Sequence, residues 1–171
     1  TDNEDWAKWL DTKLAHGAHG MKGVALDFVD FGYNFRLPEL QAVMGRKQLA
    51  KIEAIVNERN EVRDAYRTLL EPMGFVVQKV SSDVRHNVQS MVFTVPTGSN
   101  RNELIAALKA RGVESTIGTY AMSATTYYAS KYKIDNPNSH WLEANTITLP
   151  CYAGVDTKLV SDSIRDALAV I

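Results

Sequence analysis

Between Phe75 and Ile171 the chain alternates short β-branched or aromatic runs with helix-patterned ones, and that order restricts the folds open to it. "FVVQKV" (75–80) and "SMVFTVP" (90–96) are rich in valine and aromatics and predict strands. "SNRNELIAALKARG" predicts a helix: Asn100 caps it with Glu103 three residues on, Leu104, Ile105 and Leu108 form its apolar face, and Gly112 closes it. "VESTIGTY" (113–120) predicts a strand, "ATTYYASKY" the start of a short helix, and "SHWLEANTITLP" a short helix followed by a strand ending at Pro150. The last segment, "GVDTKLVSDSIRDALAVI", is an amphipathic helix capped by Asp156, with Leu159, Val160, Ile164, Leu168 and Ile171 on one side. The order strand–strand–helix–strand–helix–strand–helix predicts an α/β, α+β-like small domain: a mixed sheet covered by helices on one face.

Upstream of this unit, apolar residues recur at spacings of three and four from Leu37 to Leu70. They predict a long linking helix that bridges two bodies or joins a subunit contact; a kinked pair of ordinary helices fits the same pattern. Pro38 suits the first helical turn, where its missing N–H is not needed. Gly45 costs about 1 kcal/mol relative to alanine inside a helix, which close packing against another backbone would offset. Pro72 and Gly74 end the run.

The first residues, "TDNEDWAKWLDTKL", predict a helix capped by Asp2 or Asn3, with Trp6, Leu10 and Leu14 as apolar positions. With no initiator methionine and no preceding strand to pack on, the chain reads as the later part of a longer protein. "AHGAHGMKGVALDFVDFG" (15–32), with its two His-Gly pairs, reads as a crossover loop. His16 and His19 lie three apart, but no carboxylate or cysteine joins them at a ligand spacing, so no metal site is expected.

A formal net charge of −1 gives no support for nucleic acid as a partner. No apolar run approaches the length of a membrane span. A single cysteine, Cys151, excludes an internal disulfide and fits a reducing compartment, so the expected location is cytoplasmic. No basic partner for Cys151 argues for a thiolate.

Chemistry concentrates in "DFGYNFRLPELQAVMGRKQL", residues 30–49. A helix start presents unpaired N–H groups and partial positive charge, which suits phosphate or carboxylate. Arg36 adds a forked cationic donor, Asn34 adds an amide with two N–H groups, and Gly32 permits the turn that would aim them. The same residues also suit a turn capped by Asn34 with Arg36 paired on the surface, and the residues alone leave both readings open.

The block "GYNFRLPELQAVMGRKQLAKIE", preceded by a His-Gly loop, resembles the DegT/StrS family of sugar aminotransferases that use pyridoxal 5′-phosphate (PLP). The similarity continues through "RNELIAALKARGVESTIGTYAMSATTYY" and "ANTITLPCYAGVDTKLVSDSIRDAL", covering nearly the whole chain. The resemblance implies the C-terminal part of a PLP-transferase of fold-type I. Residues 1–36 are then a remnant and crossover loop of the large cofactor domain, and residues 37–171 the small domain with its linking helix. It further implies a homodimer with shared active sites, in which Asn34 reaches the cofactor phosphate of the partner subunit. Arg36 lies toward the anionic groups of a nucleotide-sugar substrate.

The family's Schiff-base lysine lies upstream of residue 1, and no lysine here matches its place. No catalytic residue is therefore expected in this chain, and a polypeptide limited to these residues is expected not to transaminate. "YAMS" (120–123) carries Ser123 where the family often has a histidine near the substrate. Tyr120, Tyr127 and Tyr128 are candidates to line the sugar-nucleotide pocket; aromatic packing between helix and sheet is the alternative. His86 and His140 read as surface or packing residues. The implied activity is transfer of an amino group, usually from glutamate, onto a keto-sugar nucleotide. The alternatives are a sugar dehydratase of the same fold, or a non-catalytic binding or regulatory protein that keeps this domain.

Overall fold

The computed structural model describes residues Thr1–Ile171 and divides into two compact units, Thr1–Lys51 and Ile52–Ile171.

The first unit begins with helix α1 (Glu4–Leu14), whose first turn is capped by Asn3: its side-chain oxygen accepts from the Trp6 N–H at 3.0 Å. The segment expected to be a crossover loop is instead largely an antiparallel hairpin. Strand β1 (Ala18–Lys22) pairs with β2 (Ala25–Phe28), with Lys22 opposite Ala25 across the two-residue turn Gly23–Val24. Gly23 sits at φ +66, the left-handed backbone that such short turns require. An extended stretch then leads to helix α2 (Glu39–Leu49), with Pro38 as its extended N-cap rather than a residue of its first turn. No apolar side chain of this unit is buried: the hydrophobic core residues all lie between Val56 and Ala167.

The second unit opens with helix α3 (Ile52–Leu70). Of the two readings of 37–70, one long helix or a kinked pair, the structure shows two helices, interrupted at Ala50–Lys51. There the Lys51 N–H bonds the carbonyl of Gln48, a tightened turn, and no proline or glycine marks the spot. Gly45 has no other part of this chain within 4 Å of where a Cβ would lie. A short 3₁₀ turn at Glu71–Met73 and left-handed Gly74 close α3.

Four strands follow in the order β3 (Val76–Val77), β4 (Met91–Thr94), β6 (Thr146–Leu149), β5 (Thr116–Ile117). Every pairing in this sheet is antiparallel, so the mixed sheet expected from the element order is corrected. The α/β class with covering helices stands. Met91 lies opposite Leu149 and Phe93 opposite Ile147, which sets four buried side chains on one face of the central pair. Tyr66 and Leu70 of α3, Leu104 and Leu108 of α4 (Arg101–Ala110), and Val160 and Ile164 of α7 (Thr157–Leu168) join them in one core.

The caps that aim these helices are local. Asn100 accepts from the N–H groups of Asn102 and Glu103, and Asp156 accepts from the Leu159 N–H at 2.9 Å. Between the strands lie α5 (Thr126–Tyr132) and α6 (Pro137–Asn145).

Candidate anion site

The last turn of α1 and residues 29–36 are tied by backbone. Asn34 makes an isolated antiparallel bridge with Ala15. The Tyr33 N–H donates to the Lys13 carbonyl at 2.7 Å, the His16 N–H to the Tyr33 carbonyl at 2.8 Å, and the Phe35 N–H to the Leu14 carbonyl at 3.0 Å. Two glycines make this crossing close: a Cβ on Gly17 would lie 1.6 Å from the Asp30 carbonyl oxygen, and one on Gly32 would lie 2.1 Å from the Gly17 nitrogen. Lys13 adds a cross-link. Its Nζ lies 2.7 Å from Asp30 Oδ2 and donates to the Phe31 carbonyl at 2.8 Å. The Lys13 hydrogen bond, then that of the Phe31 N–H, hold the Asp30 carboxyl below the usual carboxylate range.

In an extended backbone, alternate side chains point to opposite faces. The rings of Phe31, Tyr33 and Phe35 form a ladder: Phe31 meets Tyr33 edge-on at 5.0 Å, and Tyr33 stacks on Phe35 at 4.8 Å. Asn34 and Arg36 belong to the other parity, and their side chains meet. Arg36 Nε donates to Asn34 Oδ1 at 3.0 Å, and Arg36 Nη2 lies 3.3 Å from His16 Nε2. The aromatics that flank the amide thus occupy one face and leave the other to the polar pair. A guanidinium only donates, so the amide must turn its oxygen to Arg36 and its NH₂ outward. Asn34 Nδ2 has no partner within the chain, and Arg36 keeps further N–H groups free. Both residues are exposed. An outward NH₂ beside a forked cation is a donor set that matches phosphate oxygens.

Of the expected site residues, the structure brings Asn34 and Arg36 together. Tyr128 belongs to a different cluster, edge-on to Tyr127 at 5.1 Å and stacked on Tyr132 at 6.1 Å. Lys131 Nζ lies over the rings of Tyr127 and Tyr132. Tyr120 is exposed and has no ring partner. Nearby in sequence, Ser123 Oγ lies 3.3 Å from His140 Nε2, a contact that treating the two residues separately missed. A groove of about 970 Å³, lined by Ser115, Thr148, Tyr152, Asp156 and Leu159 among others, borders none of the four expected residues. No three His, Cys, Asp or Glu side chains gather as a metal group. Burial pushes the Cys151 thiol up, which opposes a thiolate there.

Residues 1–167 match the DegT/DnrJ/EryC1/StrS aminotransferase family. The chain belongs to that family. Among its relatives, the uncharacterized protein MJ1066 of Methanocaldococcus jannaschii is 23% identical over 186 aligned residues, covering 100% of this chain and 47% of that protein. The spore coat polysaccharide biosynthesis protein SpsC of Bacillus subtilis is 27% identical, covering 78% of this chain and 36% of its own length. Among solved structures, the Helicobacter pylori PseC, an aminotransferase involved in the biosynthesis of pseudoaminic acid, superposes with a TM-score of 0.83 at 16% identity. That match covers 100% of this chain and 48% of PseC. It shows the fold, that of the C-terminal portion of a fold-type I aminotransferase. This DegT-family chain spans less than half the length of those relatives. No helix in it is long and apolar enough to cross a membrane.

Proposed function

We propose that this DegT-family chain is the C-terminal portion of a PLP-dependent aminotransferase acting on a keto-sugar nucleotide in the cytoplasm. In this reading, Asn34 and Arg36 serve the active site of a partner subunit in a homodimer. Residues 1–36 belong with the large cofactor domain and residues 37–171 with the small domain.

The observation that carries the reading is the outward, unpartnered NH₂ of Asn34 held beside the Arg36 guanidinium. Asn34 would hold the cofactor phosphate through Nδ2. Arg36, still cationic and with donors to spare, would bind an anionic group of the nucleotide-sugar. Tyr120 and Tyr128 are proposed to flank the sugar-nucleotide. PLP, when bound, supplies the electron sink that amino transfer needs. The residues of this chain bind and orient, and the Schiff-base lysine is supplied from upstream. SpsC and PseC, by the processes their names carry, support a sugar as the substrate class.

The test uses the protein expressed from its complete coding sequence, given a keto-sugar nucleotide and glutamate. The reading expects amino-sugar nucleotide and 2-oxoglutarate in equal amounts, and expects none from the 171-residue chain alone. A dehydrated sugar product, or no reaction across keto-sugar nucleotides, would contradict it.

A further inference from the structure

His16 stands out twice. Its backbone lies at φ 64, in the left-handed region, and Gly17 follows at φ 82. A residue with a side chain adopts that conformation at a cost, and such outliers gather where the surroundings hold a side chain in place for a purpose. Its imidazole is also the second contact of Arg36, at 3.3 Å from Nη2. Because Arg36 can only donate, the contact is a hydrogen bond in the tautomer that leaves His16 Nε2 as the acceptor. The left-handed turn at His16–Gly17 is what returns this ring toward residue 36. The Gly17–Gly32 backbone approach fixes the distance between the two strands of chain.

We propose that His16 is a positioning residue for the anion site. It anchors one end of the Arg36 guanidinium, the other end of which holds the Asn34 oxygen, so His16 sets the direction of the Asn34 NH₂ through Arg36. The proposal rests on the anion-site reading above. It adds a residue that neither charge nor helix position points to. The relay runs from His16 Nε2 to Arg36 Nη2, then from Arg36 Nε to Asn34 Oδ1, and leaves Asn34 Nδ2 for the ligand.

Two substitutions separate the side chain from the backbone. His16→Gly keeps the left-handed turn at no steric cost and removes the acceptor. His16→Gln places an amide oxygen at about the reach of Nε2 and restores it. The probes are the side-chain ¹⁵N–¹H spectrum of the cofactor-free protein expressed from its complete coding sequence and titration with inorganic phosphate. In the spectrum without phosphate, His16→Gly should collapse the two Asn34 Nδ2–H signals and the Arg36 Nε–H signal toward free-amide and free-guanidinium positions. The backbone signals of Tyr33 and Phe35 should stay in place, and His16→Gln should recover the side-chain signals. Phosphate affinity should fall by about threefold to tenfold in His16→Gly and return in His16→Gln. Unmoved Asn34 and Arg36 signals in His16→Gly, or no recovery in His16→Gln, would overturn the positioning role. Failure of the underlying reading looks different: Asn34→Ala would then leave phosphate affinity at the unsubstituted value, while the phosphate-free spectra would still decide His16.

Discussion

Arg36 Nε lies 3.0 Å from Asn34 Oδ1, and that contact decides which end of the amide faces away from the chain. Charge at residue 36 is therefore only half of what the arginine contributes. Arg36→Lys keeps the cation but cannot hold both Asn34 and His16 through a rigid fork. It should weaken phosphate binding by about threefold to tenfold with net charge unchanged, read by calorimetric titration. Equal affinity would mean that charge alone matters.

The glycines at the crossing should respond very differently from the glycine in α2. Gly17→Ala forces a side chain onto φ +82 and into the Asp30 carbonyl, and should cost well over about 1 kcal/mol locally. Faster amide exchange at Tyr33 and Phe35, whose N–H groups bond Lys13 and Leu14, would report it. Gly45→Ala meets open space inside a helix and should stabilise that helix by up to about 1 kcal/mol.

Acid should loosen the same crossing. Asp30 is held below its usual range by Lys13 and the Phe31 N–H, so its folded-state pKa lies beneath the unfolded one. The contribution is present above the unfolded carboxylate value, near about pH 4, and is lost as pH falls through the folded value. Amide exchange at Phe31 should accelerate in that acid window, and Asp30→Asn should remove the pH dependence.

Alkali should act on the other unit. Burial first, then the neighbouring Cys151, Tyr152 and Asp156, push the Tyr66 phenol above its ordinary value. A raised folded pKa means the contribution is whole below about pH 10 and is lost as pH rises above it. Tyr66 Oη also donates to the Pro150 carbonyl at 3.2 Å, so Tyr66→Phe should cost about 1 kcal/mol at neutral pH. The variant should also flatten the alkaline fall in denaturation midpoint.

What the sequence made legible was local chemistry. The caps Asn3, Asn100 and Asp156, and the left-handed closures at Gly74 and Gly112, follow from short-range rules and recur in the structure. The 18–28 hairpin was hidden because its strands, "AHGMK" and "ALDF", alternate weakly and bury no apolar residue. Its crossing is set by Gly17 against Gly32, a contact between residues far apart in the chain. The break at Ala50–Lys51 has no proline or glycine to announce it; the apolar stripe only lapses before it, with Lys47 and Gln48 between Met44 and Ile52. Periodicity also carries no strand direction, so it could not distinguish the antiparallel sheet from a mixed one. Asn34 and Arg36 were readable as residue types beside a helix start. His16 was not, because ligand spacing pairs it with His19, while its contact is Arg36, twenty residues away.

The most direct measurement is the PLP dissociation constant of the protein expressed from its complete coding sequence, with and without Asn34→Ala. Losing a charge-assisted hydrogen bond to the phosphate should loosen the cofactor by roughly tenfold or more while the protein stays folded. An unchanged dissociation constant in a folded protein would contradict the phosphate-holding role assigned to Asn34.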